Sequence, residues 1–162
     1  MRPLYVTALL WFSAIGTGLI GGLFFAFSTF IMTALGRIEP PAGIQAMNSI
    51  NAVIVRSLFM PVFLGTTLTS AVLAVIGLAH LREPGGTAML VGGIVYVLGM
   101  FGCTMRLNVP LNNALAKVYP NTAAGAAIWG SYLKDWTRWN HVRTVASIAA
   151  AALFTYALCL RA

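Results

Sequence analysis

Only three acidic side chains, Glu39, Glu83 and Asp135, occur in this sequence of 162 residues, and histidine and cysteine are rarer still, with His80, His141, Cys103 and Cys159. A zinc or di-iron centre built from protein needs three or more such ligands at one place, and these few are scattered along the chain. A carboxylate relay for protons or ions across a membrane lacks its acid in the same way. No Ser/His/Asp set, Walker loop or GxGxxG fingerprint occurs, which removes the familiar hydrolase and nucleotide-binding sites. There is no CxxC, and Cys103 and Cys159 fall near opposite ends of apolar stretches, about a bilayer thickness apart. They are expected to be packing residues rather than a disulfide.

Charge of either sign is scarce. Only 8% of residues are charged while 59% are hydrophobic, where a soluble domain carries roughly a quarter charged residues. Water is therefore not the main solvent of this chain. A helix needs about 20 apolar residues to cross a bilayer, so the length holds four spans with short connections: one transmembrane domain over 1–162 and an all-α, integral membrane four-helix bundle. The net charge of +7 comes from basic residues placed singly among apolar stretches. That pattern excludes nucleic acid as a partner and suits membrane lipids with anionic headgroups. The apolar stretch after Met1-Arg2-Pro3 is too long for a signal peptide and reads as a retained first span.

The spans are predicted at about 5–35, 57–80, 88–107 and 140–160. The first is longer than a bilayer needs and contains Gly16, Gly18, Gly21 and Gly22. Its Gly18-xxx-Gly22 pair invites close helix packing, within the bundle or between subunits of a homo-oligomer. Loop 1 opens with Pro40-Pro41 and continues with Ile44, Met47, Ile50 and Ile54 at three- and four-residue spacing, which predicts an interfacial amphipathic helix. Loop 2, over 81–86, is a turn. Loop 3, over 108–139, is expected to hold a short helix from Thr122 to about Tyr132.

Four spans put loops 1 and 3 on one face. Arg37, Arg56, Arg106, Lys117, Lys134, Arg138 and Arg143 cluster there, against Arg2, Arg82 and Arg161 opposite, so the positive-inside rule makes that face cytoplasmic. Arginine at bilayer depth costs about 2.5 to 3.5 kcal/mol on insertion scales. Three acids in the whole chain cannot neutralise Arg56, Arg106 and Arg143. Their partners are expected among asparagines, backbone carbonyls, lipid phosphates or an anionic ligand oxygen. Pro110, in Arg106-Leu107-Asn108-Val109-Pro110-Leu111-Asn112-Asn113, has no N–H for the preceding turn, so the helix is expected to loosen there among three asparagines.

The stretch 136–144 is the densest in polar groups. Thr137, Asn140, His141 and Thr144 form an i, i+3, i+4, i+7 stripe that Ser147 extends, expected to face the bundle interior. Trp136, Trp139 and Arg143 form the adjoining stripe, which walls a pocket or anchors the helix among headgroups. His141 has the only side chain at this face whose ordinary titration range is near neutrality, making it the candidate base or metal ligand. Phe24, Phe25, Phe27 and Phe30 offer aromatic walls for a flat ligand.

At these residues the sequence resembles the anthrone oxygenase-like family of small four-span membrane proteins. The likeness is carried by Gly21-Gly22-Leu23-Phe24-Phe25, the Asn51 and Arg56 segment, Asn108-Val109-Pro110-Leu111-Asn112, and Trp139-Asn140-xx-Arg143-Thr144. It implies oxidation of an anthrone-type, phenolic or quinol-like aromatic with dioxygen, with no flavin or metal motif in evidence. On that reading His141 removes the acidic ring proton. Arg143, Arg56 or Arg106 then hold the oxyanion, and Asn51, Asn108, Asn112, Asn140, Thr144, Trp139 and Phe24 shape the binding site. A bacterial inner membrane is the expected location. Two alternatives stand beside it: a haem-binding redox protein with His141 as axial ligand, and a non-enzymatic quinone- or lipid-binding subunit.

Overall fold

The computed structural model describes residues 4–161; Arg2 lies outside them. Five helices occur among the described residues: α1 (Leu4–Leu35), α2 (Pro40–Ile54), α3 (Phe59–Ala79), α4 (Gly86–Leu115) and α5 (Ala123–Arg161). All but α2 are long and apolar enough to cross a membrane. They form the expected bundle, with α5 packed along α1 and α4, and α3 held against α4 and α1.

The helix lengths explain the architecture. At about 1.5 Å per residue, α3 spans about 32 Å, one bilayer core, while α1, α4 and α5 run to about 48, 45 and 58 Å. The three long helices therefore project past α3 on one side, and α2 fills the space above the start of α3. Two apolar cores result. The first, around Leu10, Leu73, Met89, Tyr96 and Phe154, lies within the membrane bundle. The second, around Ile44, Met47, Leu115, Trp129, Tyr132 and Trp136, fixes α2 to the projecting ends as a cap.

Pro40 and Pro41 open α2, where their missing N–H groups are no loss. Its apolar stripe follows the predicted spacing: Ile44 and Met47 are buried and Ile50 and Ile54 half-buried. At the other end of the bundle, Gly85 adopts φ +82° in the turn before α4, a conformation that a β-carbon disfavours. The pairing of α3 with α4 depends on close backbone approach. A β-carbon on Gly77 would run into the Gly86 carbonyl and the Leu90 amide, and one on Gly93 into the Ser70 carbonyl.

Three expectations need revision. The third span does not end at 107 but continues through Pro110 to Leu115. The helix loosens instead of stopping: Val95–Gly102 and Thr104–Asn108 are π-helical, and the Val109 N–H reaches back to the Thr104 carbonyl. Pro110 then stands in the first turn of regular helix, where it is tolerated. Second, the helix expected within loop 3 is the start of α5, continuous with the fourth span, so the connection shrinks to 116–122. Hydropathy marks only the part of a helix that lipid surrounds, and the first half of α5 packs against the cap. Third, Gly18 and Gly22 do not pack within the bundle: they point away from it into open space, and the glycines at the α1 packing surface are Gly16, against Thr66, and Gly21, against Ser147 and Ile148.

Candidate functional site

Where the membrane bundle meets the cap, a cavity of about 180 Å³ is lined by side chains from all five helices. A dry apolar cavity of about 150 Å³ holds benzene, so this space admits an aromatic ring. Most of its wall is apolar. Phe24 meets Phe59 edge to face with centroids 6.4 Å apart, Phe59 stacks on Phe63 at 5.4 Å, and Phe27 lies 5.5 Å from Trp136. Val55 and Met105, both exposed, mark its mouth beside the α2–α3 turn.

One charge sits in this wall. Arg143 is only 4% exposed, and its guanidinium carbon lies 4.1 Å from the centre of the Phe24 ring and 4.9 Å from that of Trp136. Nη2 donates to Asn140 Oδ1 at 2.7 Å and Nη1 to Thr104 Oγ1 at 3.4 Å. Nε has no partner, and neither has Nε1 of Trp136, also buried in the cavity wall. Asn51, at the α2 side, has an unpartnered Nδ2. Buried donors without acceptors each cost about 1 to 3 kcal/mol, and all three belong to residues of the cavity wall.

Behind the guanidinium a hydrogen-bonded chain sets its position. Asn140 Nδ2 donates to the Phe24 carbonyl at 2.7 Å and to Ser28 Oγ at 2.8 Å, using both its hydrogens. Ser28 and Thr144 hydroxyls lie 3.0 Å apart, and Thr144 donates to the Asn140 carbonyl at 2.9 Å. Ser28 belongs to a π-helical turn of α1, Phe27–Ile31, a local widening often found at functional sites. Asn108 is fully buried beside this chain. It donates to the Trp136 carbonyl at 3.1 Å, and the Cys103 thiol points at its Oδ1.

The sequence-predicted residues divide into three groups. Arg143, Phe24, Asn51 and Asn112 line the cavity, with Asn112 Oδ1 also accepting from the Tyr132 hydroxyl at 2.8 Å. Asn140, Thr144 and Asn108 stand behind that wall and orient it. His141, Arg56 and Arg106 are exposed away from the cavity, and Trp139 is half-buried under Arg138 on the outer face. For His141 the reason is geometric: at about 100° per residue it is turned well off the inward direction that Asn140 takes. The inward stripe of α5 is Trp129, Tyr132, Trp136, Asn140, Arg143 and Ser147. It combines members of the two stripes read separately from 136–144. Of the first-span phenylalanines, Phe24 and Phe27 wall the cavity and Phe25 and Phe30 face outward.

Phe27 and Trp136 take the wall positions the sequence offers them, while Met47 and Thr104 are cavity residues that sequence reasoning missed. The apolar repeat from Trp129 through Phe154 and Ala157, carried along the whole helix, places Trp136 and Arg143 on the buried side.

The sequence model of the anthrone oxygenase family matches residues 56–153. The chain belongs to the anthrone oxygenase family. No curated protein and no solved structure matches it. The anthrone oxygenase match includes α3, α4 and most of α5, and with them Thr104, Asn112, Trp136, Asn140 and Arg143. It leaves out α1 and α2, so in this anthrone oxygenase family member Phe24, Phe27, Met47 and Asn51 complete the cavity from outside the matched region. The cavity wall contains no histidine, and His141 is exposed on the outer face. The residues present therefore do not fit a haem bound in this cavity through that ligand.

Proposed function

We propose that this protein is a membrane-embedded oxygenase that oxidises an anthrone-type, phenolic or quinol-like aromatic with dioxygen. The observation that carries this reading is the buried Arg143 guanidinium, with a free N–H, set in an aromatic-walled cavity. On this reading a flat apolar ring lies against the phenylalanine wall and its ring oxygen accepts from Arg143, with the unpartnered Trp136 Nε1 and Asn51 Nδ2 as further donors. Such a ligand dissolves in the bilayer, and a mouth beside the α2–α3 turn lets it arrive from the headgroup layer.

The chemistry asked of the protein is modest. Loss of a proton turns an anthrone into a delocalised anion with most of its charge on oxygen. Donors that strengthen as charge develops favour that anion over the neutral ring. The electron-rich anion passes an electron to dioxygen, the radical pair joins as a peroxide anion that takes a proton back from water, and loss of water from the hydroperoxide leaves the quinone. A methylene carbon and one dioxygen molecule thus become a carbonyl and one water. The base role expected of His141 is not carried over, because its side chain lies outside the cavity. We place the protein in a bacterial inner membrane with α2 and the α4–α5 connection on the cytoplasmic side, in keeping with the basic residues there.

Isotope labelling tests the reaction. Purified protein in lipid nanodiscs, given an anthrone under ¹⁸O₂, is expected to form quinone carrying one labelled atom, faster than the spontaneous oxidation in empty nanodiscs. Tight binding of the anthrone with no acceleration would instead mark a quinone-binding subunit.

A further inference from the structure

Arg143 is a buried cation without a counter-ion. Among the described residues the acids Glu39, Glu83 and Asp135 are all exposed, and Glu83 is hydrogen-bonded to His80 at the far end of the bundle. The titratable groups near the guanidinium are Cys103 on α4 and Tyr132 on α5. The Cys103 thiol points at the Asn108 Oδ1 and Trp139 carbonyl oxygens, and the Tyr132 hydroxyl donates to Asn112 Oδ1. From α1, α2 and α3 the cavity receives Phe24, Met47, Asn51, Phe59 and Phe63, none of them titratable.

An isolated buried charge is costly unless paired. Two hydrogen bonds and two aromatic faces offset part of that cost, and the cavity in front of Arg143 is where the rest can be met. The same wall that supplies the positive charge contains no carboxylate or imidazole to take a proton.

Resting on the assignment of this cavity as the aromatic's seat, we propose that it takes its ligand as the anion, using no protein base. The O–H or acidic C–H bond of the ligand breaks heterolytically, the electron pair stays on the aromatic opposite Arg143, and the proton leaves to water at the Val55 and Met105 mouth. Arg143 makes this favourable by stabilising the ionised ligand alone, since a neutral phenol gains little from a cation. The substrate class follows: aromatics acidic enough that one cationic neighbour brings their ionisation near neutral pH. Neutral hydrocarbons and methyl ethers are excluded.

The test uses a hydroxyanthraquinone, which changes colour on ionisation and does not react with dioxygen. Bound to the protein in nanodiscs and titrated with pH, it is expected to ionise about one to three pH units lower than in empty nanodiscs, the usual effect of a close opposite charge. Arg143→Lys is expected to keep most of the displacement, Arg143→Met to lose it, and His141→Ala to leave it unchanged. A dye that binds but ionises at its free value, or higher, overturns the proposal while leaving the oxygenase reading standing. So does loss of the displacement in His141→Ala. Failure of any hydroxylated aromatic to bind overturns both. The wild-type titration alone decides the sign, so the test survives if Arg143→Met does not fold.

Discussion

Asn140 Oδ1 accepts from Arg143 Nη2 at 2.7 Å across one turn of α5, while Asn140 Nδ2 is spent on the Phe24 carbonyl and Ser28 of α1. One neutral side chain therefore joins the two helices and aims the guanidinium without cancelling its charge. Asn140→Leu is expected to break both functions. Three buried hydrogen bonds go, leaving an Arg143 N–H unmet, and an unmet buried group costs about 1 to 3 kcal/mol. A clearly lowered midpoint in a detergent thermal melt checks it, and a melt equal to the wild type would refute the network.

Asn51 reaches the cavity from α2 and carries no charge. Asn51→Asp places a carboxylate in a low-dielectric space that holds one cation. It is expected to weaken binding of a hydroxyanthraquinone anion by tenfold or more, with little effect on folding, because Asn51 is only half-buried. Dye titration measures this directly.

His141 points to the outer face. His141→Ala is expected to change oxygen uptake with an anthrone by less than about twofold, since exposed substitutions away from special features act weakly. A loss approaching a hundredfold would restore His141 as the base and contradict the placement of the site.

Cys103 is buried and Cys159 exposed. A small maleimide is expected to label one thiol per chain in native, detergent-solubilised protein and two after denaturation. In intact cells an impermeant maleimide should reach Cys159 from outside if α2 lies on the cytoplasmic side.

Gly77 and Gly18 make a matched pair. Gly77→Val puts a β-carbon against the Gly86 and Leu90 backbone, while nothing lies near a β-carbon on Gly18. Overpacking costs about 1 to 3 kcal/mol. The Gly77 variant is expected to melt well below the wild type, and Gly18→Val close to it.

Much of the fold was legible because lipid enforces it. Four apolar stretches must be helices, and the Pro40-Pro41 start with the Ile44, Met47, Ile50 repeat announces α2. The helix expected from Thr122 to about Tyr132 is there, but its continuity with the fourth span was hidden because residues 133–139 read as polar punctuation, although Trp129, Tyr132 and Trp136 carry the same repeat as the buried span. The site was half legible. Scarcity of acids singled out the arginines, but sequence position alone treats Arg56, Arg106 and Arg143 alike. The burial of Arg143 follows from its register with Trp136 and Asn140, and the repeat from Trp129 to Ala157 along the whole of α5 marks that side as the inward one. His141, one residue from Asn140, shows how a 100° rotation separates an inward side chain from one outside the cavity.

The most direct measurement is simultaneous oxygen uptake and quinone absorbance for wild type and Arg143→Met in nanodiscs, with folding of the variant checked by its helical circular dichroism. One dioxygen per quinone is expected for the wild type, with kcat/KM falling about a hundredfold or more in the variant, the usual cost of losing an oxyanion donor. A folded Arg143→Met protein that oxidises the anthrone at the wild-type rate would contradict the assignment of this cavity as the active site.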